Sequence, residues 1–169
     1  ILEVEGVQNL SGIGPDNSTT LRLTADTTLN DSAALSIGTL DLANFALTLN
    51  DSMAGLSVSQ AVTLDAATEQ IITGDADLSL NGGISVAAGI LSSTGGTLGL
   101  PIGATLVSGA SFSTSNTTIN LGGSLAVADT WTSTSTSISL TDNASLSSTA
   151  PVGLATLQTN GHDFELDLD

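Results

Sequence analysis

Very few side chains in this sequence are equipped for chemistry. Among 169 residues there are 17 Asp or Glu, one Lys or Arg, one His and no Cys. The one histidine, His162, precedes Asp163, and serines abound, so a Ser–His–Asp arrangement can be written down. Acyl transfer of that kind needs a nucleophile on a strained elbow and a base held by a third group. No Gly-x-Ser-x-Gly sequence supplies the elbow. His162 therefore reads as an exposed turn residue near the end of the sequence. Zinc needs a His or Cys cluster, and the composition holds none. No catalytic residue is assigned, and an enzyme is not expected.

The remaining candidates are carboxylates in alternating strings. In ILEVEGV, Glu3 and Glu5 alternate with Leu2 and Val4. In HDFELDLD, Asp163, Glu165, Asp167 and Asp169 alternate with Phe164, Leu166 and Leu168. A period of two puts acids on one side of a strand and apolar residues on the other. If the two strings met, between copies, like charges would oppose one another and weaken the pairing. Calcium, which prefers carboxylate and carbonyl oxygens, would reverse that sign. Glu3, Glu5, Asp163, Glu165, Asp167 and Asp169 are thus candidate calcium ligands at a junction. Leu2, Val4, Phe164, Leu166 and Leu168 are the candidate assembly interface. No other cofactor is expected. Asp75 and Asp77, in GDAD, lie on the same side if extended and could hold a calcium weakly, but read first as a corner.

The elements that would carry these residues show best between Leu78 and Trp131. LSLNGGISVAAGI, LGLPIGATLVSGASF and INLGGSLAVADTW each give a short alternating strand, a Gly-containing corner, a second short strand and a large apolar residue. Aligned on Leu23, Leu42, Leu64, Leu80, Leu100, Leu121, Leu140 and Leu157, the chain repeats about every 19 residues. Ile90, Phe112 and Trp131 are expected one above another inside. Units this short cannot bury their apolar face alone and must stack. The expectation is an all-β, single-stranded solenoid of about eight coils filling one domain. Residues 1–19 form an N-terminal strand and irregular first coil, 20–157 the regular coils, and 158–169 a C-terminal amphipathic strand. An antiparallel sandwich of short strands is the alternative. Ala61 to Gly74 is the least regular stretch, and its Ala66–Gln70 reads as a helical turn or a bulge. TWTSTSTSIS, from Thr130 to Ser139, reads as a surface strand polar on both faces.

Composition excludes whole classes of function. Arg22 is the only basic side chain and the net charge is −16. A nucleic-acid binder needs a basic patch against phosphate, and anionic lipid headgroups make the same demand. No apolar run approaches the 18 residues that span a bilayer. Six Asn-x-Ser/Thr sequons, at Asn9, Asn17, Asn30, Asn50, Asn116 and Asn143, are candidate glycosylation sites. The sequence starts at Ile1 with neither Met nor signal peptide, as a processed protein or a piece of a longer one would. The polar, lysine-free composition points to the outside of a cell.

LTLND, LSLNGGISV, STGGTLGL and TINLGGSLAV resemble the repetitive β-helical shafts of large bacterial surface proteins, namely filamentous-haemagglutinin-like adhesins and autotransporter passenger domains. The resemblance runs from Leu21 to Leu157. It implies an extracellular right-handed parallel β-helix with a structural or adhesive role. The amphipathic ends depart from a plain shaft, and add a specific expectation. The last strand of one copy meets the first strand of the next, and a head-to-tail contact that does not close makes a filament. The second reading is a glycan- or ice-binding module using a flat face with Thr132, Thr134 and Thr136. The third is a β-helical polysaccharide-cleaving enzyme.

Overall fold

The computed structural model describes residues 1–129, 131–149 and 151–168. Among them there are strands, turns and irregular passages but no helix. In chain order the strands are β1 (Leu2–Gln8), β2 (Thr20–Leu29), β3 (Leu35–Ile37), β4 (Thr39–Asp41), β5 (Ala46–Leu49), β6 (Gly55–Val58) and β7 (Val62–Leu64). Next come β8 (Gln70–Thr73), β9 (Asp77–Leu80), β10 (Ile84–Val86), β11 (Gly89–Ser93), β12 (Thr97–Leu100), β13 (Gly103–Leu106) and β14 (Ala110–Ser115). The last are β15 (Thr118–Leu121), β16 (Ser124–Val127), β17 (Trp131–Thr134), β18 (Thr136–Leu140), β19 (Ala144–Ser148), β20 (Leu154–Gln158) and β21 (Phe164–Leu168).

These strands wind into a three-sided β-solenoid of about eight turns. The first face stacks β1-β2-β5-β8-β11-β14-β17, and the second stacks β3-β6-β9-β12-β15-β18-β20. The third stacks β7-β10-β13-β16-β19-β21. Taking roughly every third strand, each coil lays one strand on each face, and every pairing is parallel. β1 and β2 are long enough to turn a corner, and Gly6 at φ 64° makes that turn in β1. Their first halves, with β4 paired to β2, extend the third face past β7.

Alternation builds the core. Leu56, Leu78, Leu98, Ile119 and Ile138 share one inward register on the second face, each at most 2% exposed. The outward row between such registers is small and polar, with Ser57, Ser79, Gly99, Asn120 and Ser139. Each buried Leu or Ile contributes about 1.5–3 kcal/mol relative to exposure. The corners need glycine where backbones nearly touch: Gly103 has φ +100°, and an added Cβ would run into the Ser124 backbone. Buried hydroxyls satisfy one another at a corner, with Thr114 and Thr136 oxygens 2.8 Å apart. Among the described residues, no buried side-chain nitrogen or oxygen lacks a partner.

The solenoid is the expected one, but its register is not. Leu23 and Leu64 lie on the third face, whereas Leu80, Leu100, Leu121 and Leu140 lie on the second. Leu157 partners Ile138 rather than Leu140. All three faces carry the same Leu-x-Leu string, so the string does not mark the face. Ladder partners are 18 to 24 residues apart, the extremes being Thr136–Leu154 and Ala46–Gln70. The long step is the Ala61–Gly74 stretch, which makes a turn at 66–68 and no helix. Glu69 folds back there and accepts hydrogen bonds from the Asp65 amide at 2.7 Å and the Ala66 amide at 3.2 Å. It also reaches the Asn44 amide in the preceding coil at 3.2 Å.

Candidate functional site

The two ends of the rod differ, and the difference follows from which rung lies over which side chain. At the C-terminal end β21 is the last strand of the third face and β20 the last of the second. Phe164, Leu166 and Leu168 pair with Ala144, Leu146 and Ser148 and continue their inward rows. Among the described residues no further rung covers them. Leu166 is 55% exposed, Leu168 49% and Leu157, in β20, 40%. Their neighbours one rung inside, Leu146 and Ile138, are essentially inaccessible.

The N-terminal end is more closed. Val4 is only 4% exposed, and Leu2 packs half-buried against the core. The irregular passage 9–19 buries Leu10. It is tied down by Asp31, whose carboxylate accepts the Leu10 and Ser11 amides at 2.8 and 2.9 Å. Ile1 and Ile13 remain exposed at this end. Of the predicted interface residues, then, Phe164, Leu166 and Leu168 present apolar surface, Leu2 does so in part, and Val4 is already covered.

The third face carries charge at outward positions near its two ends. Glu3 pairs with Arg22 and Arg22 with Asp41 on adjacent rungs. The Arg22 Nε donates to an Asp41 oxygen at 2.7 Å. That bond, the Asp41 charge and the Glu3 charge all push the guanidinium above its usual range. A groove of about 660 Å³ runs beside this row, lined by Arg22, Asp41, Thr63 and Asp65 among others. It lies where β4 and β7 face each other without forming a ladder. At the far end of the same face Glu165 and Asp167 point outward. The sequence singled out Arg22 only as the lone base. Its role was findable, because Glu3, Arg22 and Asp41 recur every 19 residues at outward positions.

One copy does not bring the proposed calcium ligands together. Glu3 and Glu5 lie on the first rung, and Asp163, Glu165 and Asp167 at the last. Asp169 lies outside the described residues. Among the described residues no three His, Asp or Glu cluster closely enough to hold a metal. Calcium at these residues would have to bridge two copies.

Other candidates separate. His162 sits in the turn between β20 and β21, its amide donating to the Thr159 carbonyl at 2.9 Å. Thr132 and Thr134 face solvent, but Thr136 is fully buried beyond a corner at Ser135, φ 51°. Thr130 lies outside the described residues; from Trp131 onward the Thr/Ser run is two strands on two faces, and Thr132, Thr134 and Thr136 do not form one flat row. Trp131, Thr136 and Ile138 in this run point inward. The expected stack of Ile90, Phe112 and Trp131 is corrected to Leu91, Phe112 and Trp131. The sequons at Asn9, Asn30 and Asn50 sit at one corner on successive coils, linked by the Asn30 and Asn50 amides to Gln8 and Leu29 carbonyls. Rungs about 4.8 Å apart leave room for one glycan among the three. Asn17, Asn116 and Asn143 are exposed elsewhere.

Comparison with protein-family models, with curated proteins and with solved structures returns no match.

Proposed function

We propose that this chain is an extracellular structural unit, a β-solenoid rod whose copies join head to tail into a surface or matrix filament or extend an adhesin stalk. The observation that carries the reading is the uncovered C-terminal rung, with Leu157, Leu166 and Leu168 in core rows yet 40–55% exposed. Such rows next to an unpaired strand edge invite another rung. The third face is where both ends offer strand. There β21 ends the rod and the first half of β1 begins it. On the second face the first coil is irregular and contains Pro15, and on the first face Pro151 precedes β20. Proline cannot donate to a ladder, so strand addition is directed to the third face.

Electron microscopy and sedimentation of the purified chain, with calcium and after chelation, test the reading. Filaments with an axial repeat near 40 Å, about eight rung spacings of 4.8 Å, support it. Single short rods at every concentration overturn it.

A further inference from the structure

Resting on that reading, we infer that Arg22 sets the polarity of the junction, by letting the first rung of one copy accept the acidic last rung of a second copy. The outward row of the third face begins Glu3, Arg22, Asp41. Beyond the break at β7 it continues Thr63, Ser85, Thr105, Ala126, Ser147 and ends at Asp167. The row is uncharged between Asp41 and Asp167. Stacking β21 on β1, with the inward rows of Leu166 and Leu168 running on into Leu2 and Val4, sets Asp167 of one copy beside Glu3 of the next. Two carboxylates on neighbouring strands repel.

Arg22 lies on the rung directly behind Glu3. Its Nε is held by Asp41, and its side chain is 43% exposed. A guanidinium carries five donors in a planar fork, so it serves carboxylates on two sides at once. Across a head-to-tail junction the charges then read Asp167, Glu3, Arg22, Asp41. A tail-to-tail contact would instead set Glu165 and Asp167 against their own copies with no cation. It would bury Leu166 and Leu168 of both copies, but at a worse electrostatic cost. Arg22 therefore favours the one arrangement that propagates.

The test measures the concentration at which the full chain assembles, at low salt, for the native protein, Arg22→Gln and Asp41→Asn. Thermal melts confirm that each variant folds. Arg22→Gln is expected to raise the threshold roughly fivefold, and the difference to shrink in high salt. Asp41→Asn, which frees the guanidinium for Glu3, is expected to lower it. Glu3→Gln added to Arg22→Gln is expected to restore the native threshold. A merely structural ion pair would make both single variants weaken assembly alike, and that result overturns the inference. If the native chain assembles and Arg22→Gln matches it, the inference also falls. If the native chain never assembles, the head-to-tail reading falls first and takes the inference with it.

Discussion

Phe112 and Trp131 stack on adjacent rungs inside the solenoid, ring centroids 5.0 Å apart and planes 26° from parallel. The indole Nε1 donates to the Thr114 hydroxyl at 2.9 Å, which in turn meets Thr136. Trp131→Ala leaves a large void and is expected to cost about 3–5 kcal/mol. Thr114→Val strands the indole N–H and should cost about 1–2 kcal/mol. Denaturant unfolding followed by far-UV circular dichroism measures both.

Glu69 acts as a clasp for the longest coil. It is 6% exposed and accepts three backbone amides from two coils. Glu69→Ala leaves those amides without their acceptor and is expected to cost about 2–3 kcal/mol. Hydrogen exchange should quicken first at Asn44, Asp65 and Ala66. Uniform loss of protection across the rod would contradict a local clasp.

Asp16 gives the first coil a dependence on acid. Its carboxylate accepts the Ser18 hydroxyl at 2.6 Å and the Ser18 amide at 2.9 Å, which hold it below its ordinary value of 3.8. A depressed folded value means the contribution is present above the unfolded pKa. It is lost as pH falls through the folded one. Protection of the Ser18 amide is expected to be lost only as pH falls below the ordinary carboxylate range, and Asp16→Ala to remove that pH dependence.

Leu166→Asp separates assembly from stability. Leu166 is 55% exposed, so the substitution should change the melt little, within about 0.5 kcal/mol. Assembly should be lost, as read by sedimentation velocity. Leu146→Asp, one rung inside and 1% exposed, should instead unfold the C-terminal coils.

Calcium is expected to act between copies. A junction that sets Asp167 beside Glu3 should assemble more readily in about millimolar calcium. Chelation should reverse the effect, and the melting temperature of the single rod should not move. Assembly indifferent to chelation would leave the acids as solvent-facing groups.

Much of the fold was legible because period-two alternation and glycine corners are local signals. Leu56, Leu78 and Leu98 announce inward rows wherever they fall. Which face a string belongs to was not legible. Leu64 and Leu80 look alike but lie on different sides, and the face depends on a corner geometry that spacing alone does not encode. The break in the Thr/Ser run at Ser135, φ 51°, was hidden because positive φ is uncommon at Ser, so nothing in the run signals the corner. The terminal strands were readable from their strict alternation. The covering of Val4 was not, because it depends on how the neighbouring passage packs around Leu10.

The missing ladder between β4 and β7 has a mechanical consequence. Two faces carry unbroken hydrogen-bond stacks past this level, through β2-β5-β8 and β3-β6-β9, while the third is cut. A beam with one severed flange is softest about an axis parallel to that flange. Each copy would flex there, and always toward the same side. In the proposed filament the soft points would recur once per subunit in fixed phase, so the thread would bend more easily in one direction than a uniform rod.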